Sequence, residues 1–262
     1  MHPGQYLIGV AAGTLVGFLL GAVGGGGSIL AVPLMVYAVG VRDPHLAVGT
    51  SALAVAANAA LNTVNHARAG AVRWRVAAVF AAAGVTGAWF GSLAGKALPG
   101  ERLLACFALL MLAVGVLMLR RASAPAAAPD GRRGSPNLPR LIAIGLAVGA
   151  LSGFFGIGGG FLIVPGLVYA ARLPMLEAVA SSLPAVTAFS LTTAINYARS
   201  GWLDWPLAAA FAAGGAFGGT LGAHLARRLS ARRGALSALF GLALLVVACY
   251  MLYRSAAALG LR

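Results

Sequence analysis

The sequence predicts an all-α polytopic membrane protein made of two inverted-topology repeats, each with a broken or re-entrant helical hairpin plus three transmembrane helices. Three observations carry this expectation: long apolar runs, an internal duplication, and in each half a glycine cluster followed by an apolar run too short to cross a bilayer. Hydrophobic residues make up 60% of the 262 and charged residues 9%, with a mean hydropathy of +0.91. That balance lies outside the range of soluble domains, so most of the surface is expected to face lipid.

The duplication appears when the chain is compared with itself at a shift of about 131 residues. Gly17-Phe-Leu-Leu-Gly21-Ala-Val-Gly24-Gly-Gly-Gly-Ser28-Ile-Leu-Ala-Val-Pro33 matches Gly149-Ala-Leu-Ser-Gly153-Phe-Phe-Gly156-Ile-Gly-Gly-Gly160-Phe-Leu-Ile-Val-Pro165. Asn65-His-Ala-Arg68-Ala-Gly70, followed by Trp74, matches Asn196-Tyr-Ala-Arg199-Ser-Gly201, followed by Trp205. Residues 1–121 are therefore expected to form the first repeat and 140–262 the second. The Ala/Pro/Gly/Ser-rich stretch 122–139 is expected to be a cytoplasmic linker.

Within the first half the apolar runs are Tyr6 to Val23, Ile29 to Val39, Leu46 to Val64, Trp74 to Leu98 and Leu103 to Leu119. The last three have counterparts at Val179 to Tyr197, Trp205 to Leu229 and Leu236 to Tyr253. The short run after the glycines reaches roughly 18 Å at 1.5 Å per residue, against a hydrocarbon core of roughly 30 Å. It cannot span alone. Either it returns to the side from which the preceding helix entered, or the two runs form one long crossing. The first arrangement places thirteen basic residues on one side and six on the other; the second gives eleven and eight. Orientation follows Lys/Arg bias, so inverted halves are expected, with the linker cytoplasmic and both termini outside. The first four residues, Met1-His2-Pro3-Gly4, lack the basic stretch and cleavage site of a signal peptide, so the first run is expected to be retained.

A net charge of +14 raises nucleic acid as a partner, but the basic residues lie in turns between apolar runs rather than along an aromatic-lined face. Nucleic acid is not expected. Cys106 and Cys249 sit inside apolar runs without metal-ligand spacing and read as small hydrophobes; neither metal nor cofactor is expected.

Four consecutive glycines, Gly24, Gly25, Gly26 and Gly27, abolish helix propensity, and a broken helix at membrane depth is tolerated only where protein or a cavity covers it. Ser28 is placed to N-cap the short helix that follows, which would turn free N–H groups and a positive dipole end toward the middle of the membrane. Gly156, Gly158, Gly159 and Gly160 offer the same arrangement in the second half, and interrupted segments at matching places point to a transporter's binding site. Gly84, Gly87, Gly91 and Gly95, like Gly215, Gly218 and Gly222, recur every three or four residues and read as close helix packing.

Candidate side-chain ligands are the polar residues of the third run in each half: Thr50, Ser51, Asn58, Asn62 and Asn65, then Ser181, Ser182, Thr187, Thr192, Thr193 and Asn196. Neutral hydroxyls and amides can replace an anion's hydration shell; they can equally tie helices together. The acidic residues Asp43, Glu101, Asp130, Glu177 and Asp204 all fall in predicted turns or the linker, which disfavours a carboxylate proton relay. His66 and His224 read as interfacial. No His/Asp/Glu cluster or nucleophile–base pair occurs within the runs, so an enzyme is not expected.

The pattern Gly21-x-x-Gly24-Gly-Gly-Gly-Ser28-x-x-x-x-Pro33, repeated as Gly153-x-x-Gly156-x-Gly-Gly-Gly160-x-x-x-x-Pro165, resembles the TauE/SafE sulfite exporter family of bacterial permeases. The resemblance covers essentially the whole chain and implies transport of sulfite, sulfonates such as sulfoacetate, or related organic anions across the bacterial cytoplasmic membrane. Ile157 stands where a glycine would complete the second motif, which makes the two half-sites unequal. An alternating-access carrier is the expectation, with a channel-like anion uniporter, a non-transporting assembly factor and a membrane-embedded enzyme as alternatives. Its partners are a small anionic substrate and the lipid bilayer, with a homodimer left open.

Overall fold

Helix starts and stops follow local chemistry. In the computed structural model, which describes residues 3–23, 25–123, 137–228 and 233–258, every regular element among those residues is helical. The first half contains α1 (Pro3–Val23), a tight 3₁₀ turn Gly25–Leu30, a single α turn α2 (Ala31–Pro33), a wide π turn Leu34–Ala38, then α3 (Pro44–Arg68), α4 (Trp74–Ala97) and α5 (Gly100–Ser123). The second contains α6 (Leu138–Phe155), α7 (Gly160–Ala171), α8 (Met175–Ala198), α9 (Trp205–Arg228) and α10 (Arg233–Ala258). Asp43 caps α3 by accepting the His45 N–H at 2.8 Å, with Pro44 at the first helical position. Asn137 caps α6 in the same manner through the Arg140 N–H at 3.2 Å. Most of the stretch read as a linker, residues 124–136, lies outside the described residues.

Among the described residues six helices are long and apolar enough to cross a membrane, within α1, α3, α4, α5, α6 and α8. α9 and α10, at 24 and 26 residues, reach about 36 Å or more by length. The segments Gly26–Ala38 and Gly160–Ala171 are apolar but short. Each folds back along its predecessor. Gln5 near the start of α1 donates from Nε2 to the Val39 carbonyl at 3.3 Å, and the Asn137 N–H at the start of α6 donates to the Ala170 carbonyl at 3.2 Å. The end of each short segment therefore lies beside the beginning of the long helix before it.

Glycine removal of side-chain bulk sets the lateral packing. Gly13 and Gly17 of α1 lie on the backbone of Phe211 and Gly215 in α9, while Gly218 and Gly222 of α9 lie on Thr14 and Phe18. Gly87, Gly91 and Gly95 of α4 lie on Leu146, Ala150 and Phe154 of α6, while Gly149 and Gly153 of α6 lie on Gly84 and Ala88. Residue numbers rise together in both pairs, so the helices run parallel with backbones in direct contact. α3 instead runs antiparallel to α8: Gly49 meets Trp202 and Tyr197 at one end, and Arg73, just past the other end, meets Glu177 and Ser181. α5 is likewise antiparallel to α10, with Gly115 against Leu245 and Met118 against Gly241. Exchanging the halves maps this set of neighbours onto itself.

Charge collects at one end of the bundle. Arg68, Arg73, Arg75, Arg120, Arg140 and Arg172 all belong to helix ends or turns on the side where α3 finishes and α8 begins. There Arg73 Nε and Nη2 grip the Glu177 carboxylate at 2.7 and 2.8 Å. That hydrogen-bonded carboxylate raises the Arg73 pKa above its ordinary value, so the pair stays ionised.

The glycine contacts make a direct prediction. Gly91→Ala places a methyl group into the Ala150 carbonyl oxygen and should destabilise the purified protein by about 1–3 kcal/mol, whereas Gly4→Ala, with nothing within 4 Å, should leave it unchanged. Thermal unfolding in detergent reads the difference; equal midpoints for the two variants would contradict backbone-to-backbone packing of α4 on α6.

Candidate functional site

The second glycine cluster makes a sharp reversal. α6 ends at Gly156 in the left-handed conformation (φ 70°), whose N–H returns to the Ser152 carbonyl at 2.8 Å. Gly158 (φ 70°) and Gly159 (φ 66°) continue in the same region, which favours glycine, and α7 starts at Gly160. The Leu162 and Ile163 N–H groups both reach the Gly159 carbonyl at 2.9 Å. The N–H groups of Gly160 and Phe161 belong to the first turn, which has no intrahelical acceptor for them, and no side chain caps this end. The result is a positive helix end with open donors.

The surroundings of this turn are fully buried. A methyl group added to Gly158 would stand 2.5 Å from Ser190 Oγ, 2.9 Å from Val186 and 3.2 Å from Val55; one added to Gly159 would stand 2.9 Å from Ser152 Cβ and 3.3 Å from its Oγ. Val55 is near the middle of α3, and Val186 and Ser190 lie in the central turns of α8. Ser152 and Ser190 are both 0% exposed, and neither hydroxyl has a hydrogen-bond partner among the described residues. A buried hydroxyl without a partner costs about 1–3 kcal/mol. Two of them beside an uncapped helix N-terminus make a donor set suited to an oxyanion.

The first cluster behaves differently. Gly24 lies outside the described residues; Gly25, Gly26 and Gly27 do not take positive φ but tighten into the 3₁₀ turn that runs through Ser28 to Leu30. Ser28 is therefore not an N-cap: it is buried inside that turn, and α2 is flanked by Leu30 with no side-chain cap. Consecutive glycines permit a tighter helix as readily as a broken one, and here Gly27 seats on the backbone of Leu19 and Leu20. This turn packs against both α7 and α8, so the two hairpin tips meet.

The polar residues of α3 and α8 divide into three groups. Thr50 Oγ1 accepts the Asp204 N–H at 3.0 Å, and its counterpart Ser181 Oγ accepts the Arg73 N–H at 2.8 Å. Each hydroxyl thus holds the turn leading into α9 or α4 of the other half. Ser51, Ser182 and Thr192 donate to carbonyls of their own helices, at Val48, Val179 and Ala188, and the Asn62 side chain donates to the Asn58 carbonyl at 2.9 Å. Asn65 is exposed at the basic end, whereas Asn196 lies buried toward the opposite end, donating to Ser92 Oγ at 2.5 Å and to the Trp89 carbonyl at 3.3 Å. The structure keeps both away from the glycine turns. Asn58 alone of the amides has both side-chain polar atoms buried without a partner among the described residues, pressed against Gly215. Phe189 fills the matching place against Gly84.

Ser152 and Ser190 were not among the residues singled out by sequence. Their repeat counterparts are Leu20 and Ala59, so self-comparison hides them. The signal was periodicity: Ser182, Val186 and Ser190 recur every fourth residue, on one helix face.

A family model described as Sulfite exporter TauE/SafE matches residues 9–251. A probable membrane transporter protein of Xylella fastidiosa (strain 9a5c) is 50% identical over 254 residues, covering 97% of each chain. The probable membrane transporter protein YunE of Bacillus subtilis is 27% identical over 228 residues, 79% of this chain and 82% of that one. A probable membrane transporter protein of Methanocaldococcus jannaschii is 27% identical over 192 residues, 70% of each. No solved structure matches the chain significantly.

Removing an unpartnered hydroxyl should cost nothing in the fold. Ser190→Ala is expected to leave thermal stability unchanged or raise it by up to about 1 kcal/mol, while Ser92→Ala, which takes from the buried Asn196 amide the nearer of its two acceptors, should lower it by about 1–3 kcal/mol. A loss of stability in Ser190→Ala equal to that in Ser92→Ala would show that Ser190 is structural.

Proposed function

The chain belongs to the TauE/SafE sulfite exporter family of membrane transporters, and from that premise we propose that it carries small oxyanions, sulfite and sulfonates such as sulfoacetate foremost, across the bacterial inner membrane. The observation that carries the reading is the pair of buried, unpartnered hydroxyls, Ser152 and Ser190, at the uncapped N-terminus of α7. Backbone N–H groups, a positive dipole end and two neutral hydroxyls can hold an anion while supplying no fixed counter-charge, which leaves it free to depart. The acidic side chains of the described residues stand at helix starts: Asp43 and Asp204 cap α3 and α9, and Glu101 and Glu177 lie in the first turns of α5 and α8.

The transport cycle we infer is alternating access. Two repeats of inverted topology, 1–121 and 140–262, would rock about the α3–α8 contact. Two features support this: the parallel pairs α1/α9 and α4/α6, which exchange partners between the halves, and the return of each short segment to the start of its long helix. The basic end, with the linker, faces the cytoplasm under the Lys/Arg bias, leaving both termini outside, as reporters fused to either end would register. Complete burial of the α7 turn fits a carrier with an occluded state better than an open channel.

In proteoliposomes the protein should move sulfite and sulfoacetate with saturable counterflow, and Ser190→Ala and Gly158→Ala should each lower the flux at least tenfold while the folded fraction in Ser190→Ala is unchanged. Absence of any anion flux from well-folded protein would overturn the proposal, and flux without saturation or counterflow would replace the carrier with a uniport channel.

A further inference from the structure

At the basic end of the bundle a cavity of about 550 Å³ opens between the ends of α6, α7 and α8 and reaches along α7 to Val164. Arg140, Tyr169 and Arg172 stand at its rim, and Val164, Pro165, Val168 and Met175 complete its lining. Neither arginine forms an ion pair with a carboxylate among the described residues; the Arg140 guanidinium lies 5.9 Å from the centre of the Tyr169 ring. Val168, Tyr169 and Met175 are large apolar or amphipathic side chains left 39%, 67% and 60% exposed. In a membrane-spanning chain such a surface faces acyl chains rather than water.

Arg172 carries a second clue. Among the described residues it is the one non-glycine with positive φ, at 50°, and it ends α7 where the first half ends its short segment with Gly40 at φ 81°. Glycine would relieve the strain of that conformation, which costs an ordinary side chain about 1–2 kcal/mol. Keeping an arginine there is explained if its charge is used.

We propose that this groove is a binding site for an anionic phospholipid, with the phosphodiester held by Arg140 and Arg172 and an acyl chain lying along Val168, Val164 and Met175. The charge of the rim matches a phosphate, the position at three helix ends matches the headgroup level, and the apolar lining formed by Val164, Val168 and Met175 matches a chain. The first half has no equivalent pair: Gly40 stands opposite Arg172 and Ile8 opposite Arg140 in the repeat, so the site belongs to one half alone. It is independent of the identity of the transported anion.

The test uses full-length protein in a neutral detergent, unfolded thermally with added phosphatidylglycerol, phosphatidylcholine or glycerol phosphate. Phosphatidylglycerol should raise the midpoint by several degrees more than phosphatidylcholine, and Arg140→Gln combined with Arg172→Gly should abolish that difference. Arg172→Gly alone should fold at least as stably as the parent without lipid, since it removes strain. Arg75→Gln, an exposed arginine on the same end, should keep the full lipid effect. Equal shifts from both lipids, a double variant that keeps the phosphatidylglycerol shift, or an equal shift from glycerol phosphate would each overturn the assignment, the last by making the site one for free phosphates.

Discussion

Backbone groups buried in hydrocarbon need partners or protein cover, and the architecture follows from how this chain meets that demand at its two interrupted helices. A run of glycines at membrane depth exposes N–H and C=O groups that lipid cannot satisfy. The chain covers them by folding each short segment back along its predecessor, by seating the second tip against α3 and α8, and by seating the first against α7 and α8. The parallel contacts of α1 with α9 and α4 with α6 hold that arrangement from outside, and they depend on glycine faces that let backbones touch. Packing density, rather than charge, therefore positions the tips.

The two halves share this scaffold but fill it unequally. Gly156, Gly158 and Gly159 adopt the left-handed conformation, whereas Gly25, Gly26 and Gly27 tighten into a right-handed turn. Ser152 and Ser190 border the second tip; Leu20 and Ala59 hold the same places in the first. Asn58, buried with its amide unpartnered, replaces the aromatic Phe189 of the other half. Polar groups that lack partners are thus confined to particular niches, while duplicated hydroxyls such as Thr50 and Ser181 are engaged in the same bond in both halves, securing the entry to α9 and α4. Duplication preserved the joints; divergence produced the candidate site.

Much of the fold was legible in the sequence because it is written in local signals: apolar run length, the repeated Gly and Pro positions, and the three- and four-residue glycine spacing all act within one or two turns of chain. The roles of individual polar residues were not. Thr50 meets a backbone N–H 154 residues away and Ser181 one 108 residues away, contacts that exist only after the halves interlock. Ser28 looked like a helix cap because glycine clusters usually end helices, yet the tight packing of Gly27 on Leu19 and Leu20 lets the turn continue. Ser152 and Ser190 were hidden by the very comparison that revealed the repeat, since their counterparts are apolar.

The central claim is that an oxyanion is held at the N-terminus of α7 by its first-turn N–H groups and the Ser152 and Ser190 hydroxyls. An experimentally determined structure of the protein with selenite, whose heavy atom marks the ion, tests this most directly. The ion is expected within hydrogen-bond distance of the Gly160 or Phe161 N–H and of Ser190 Oγ. An ion bound only elsewhere in the bundle, with the Gly158–Gly159 turn closed and empty, would contradict it.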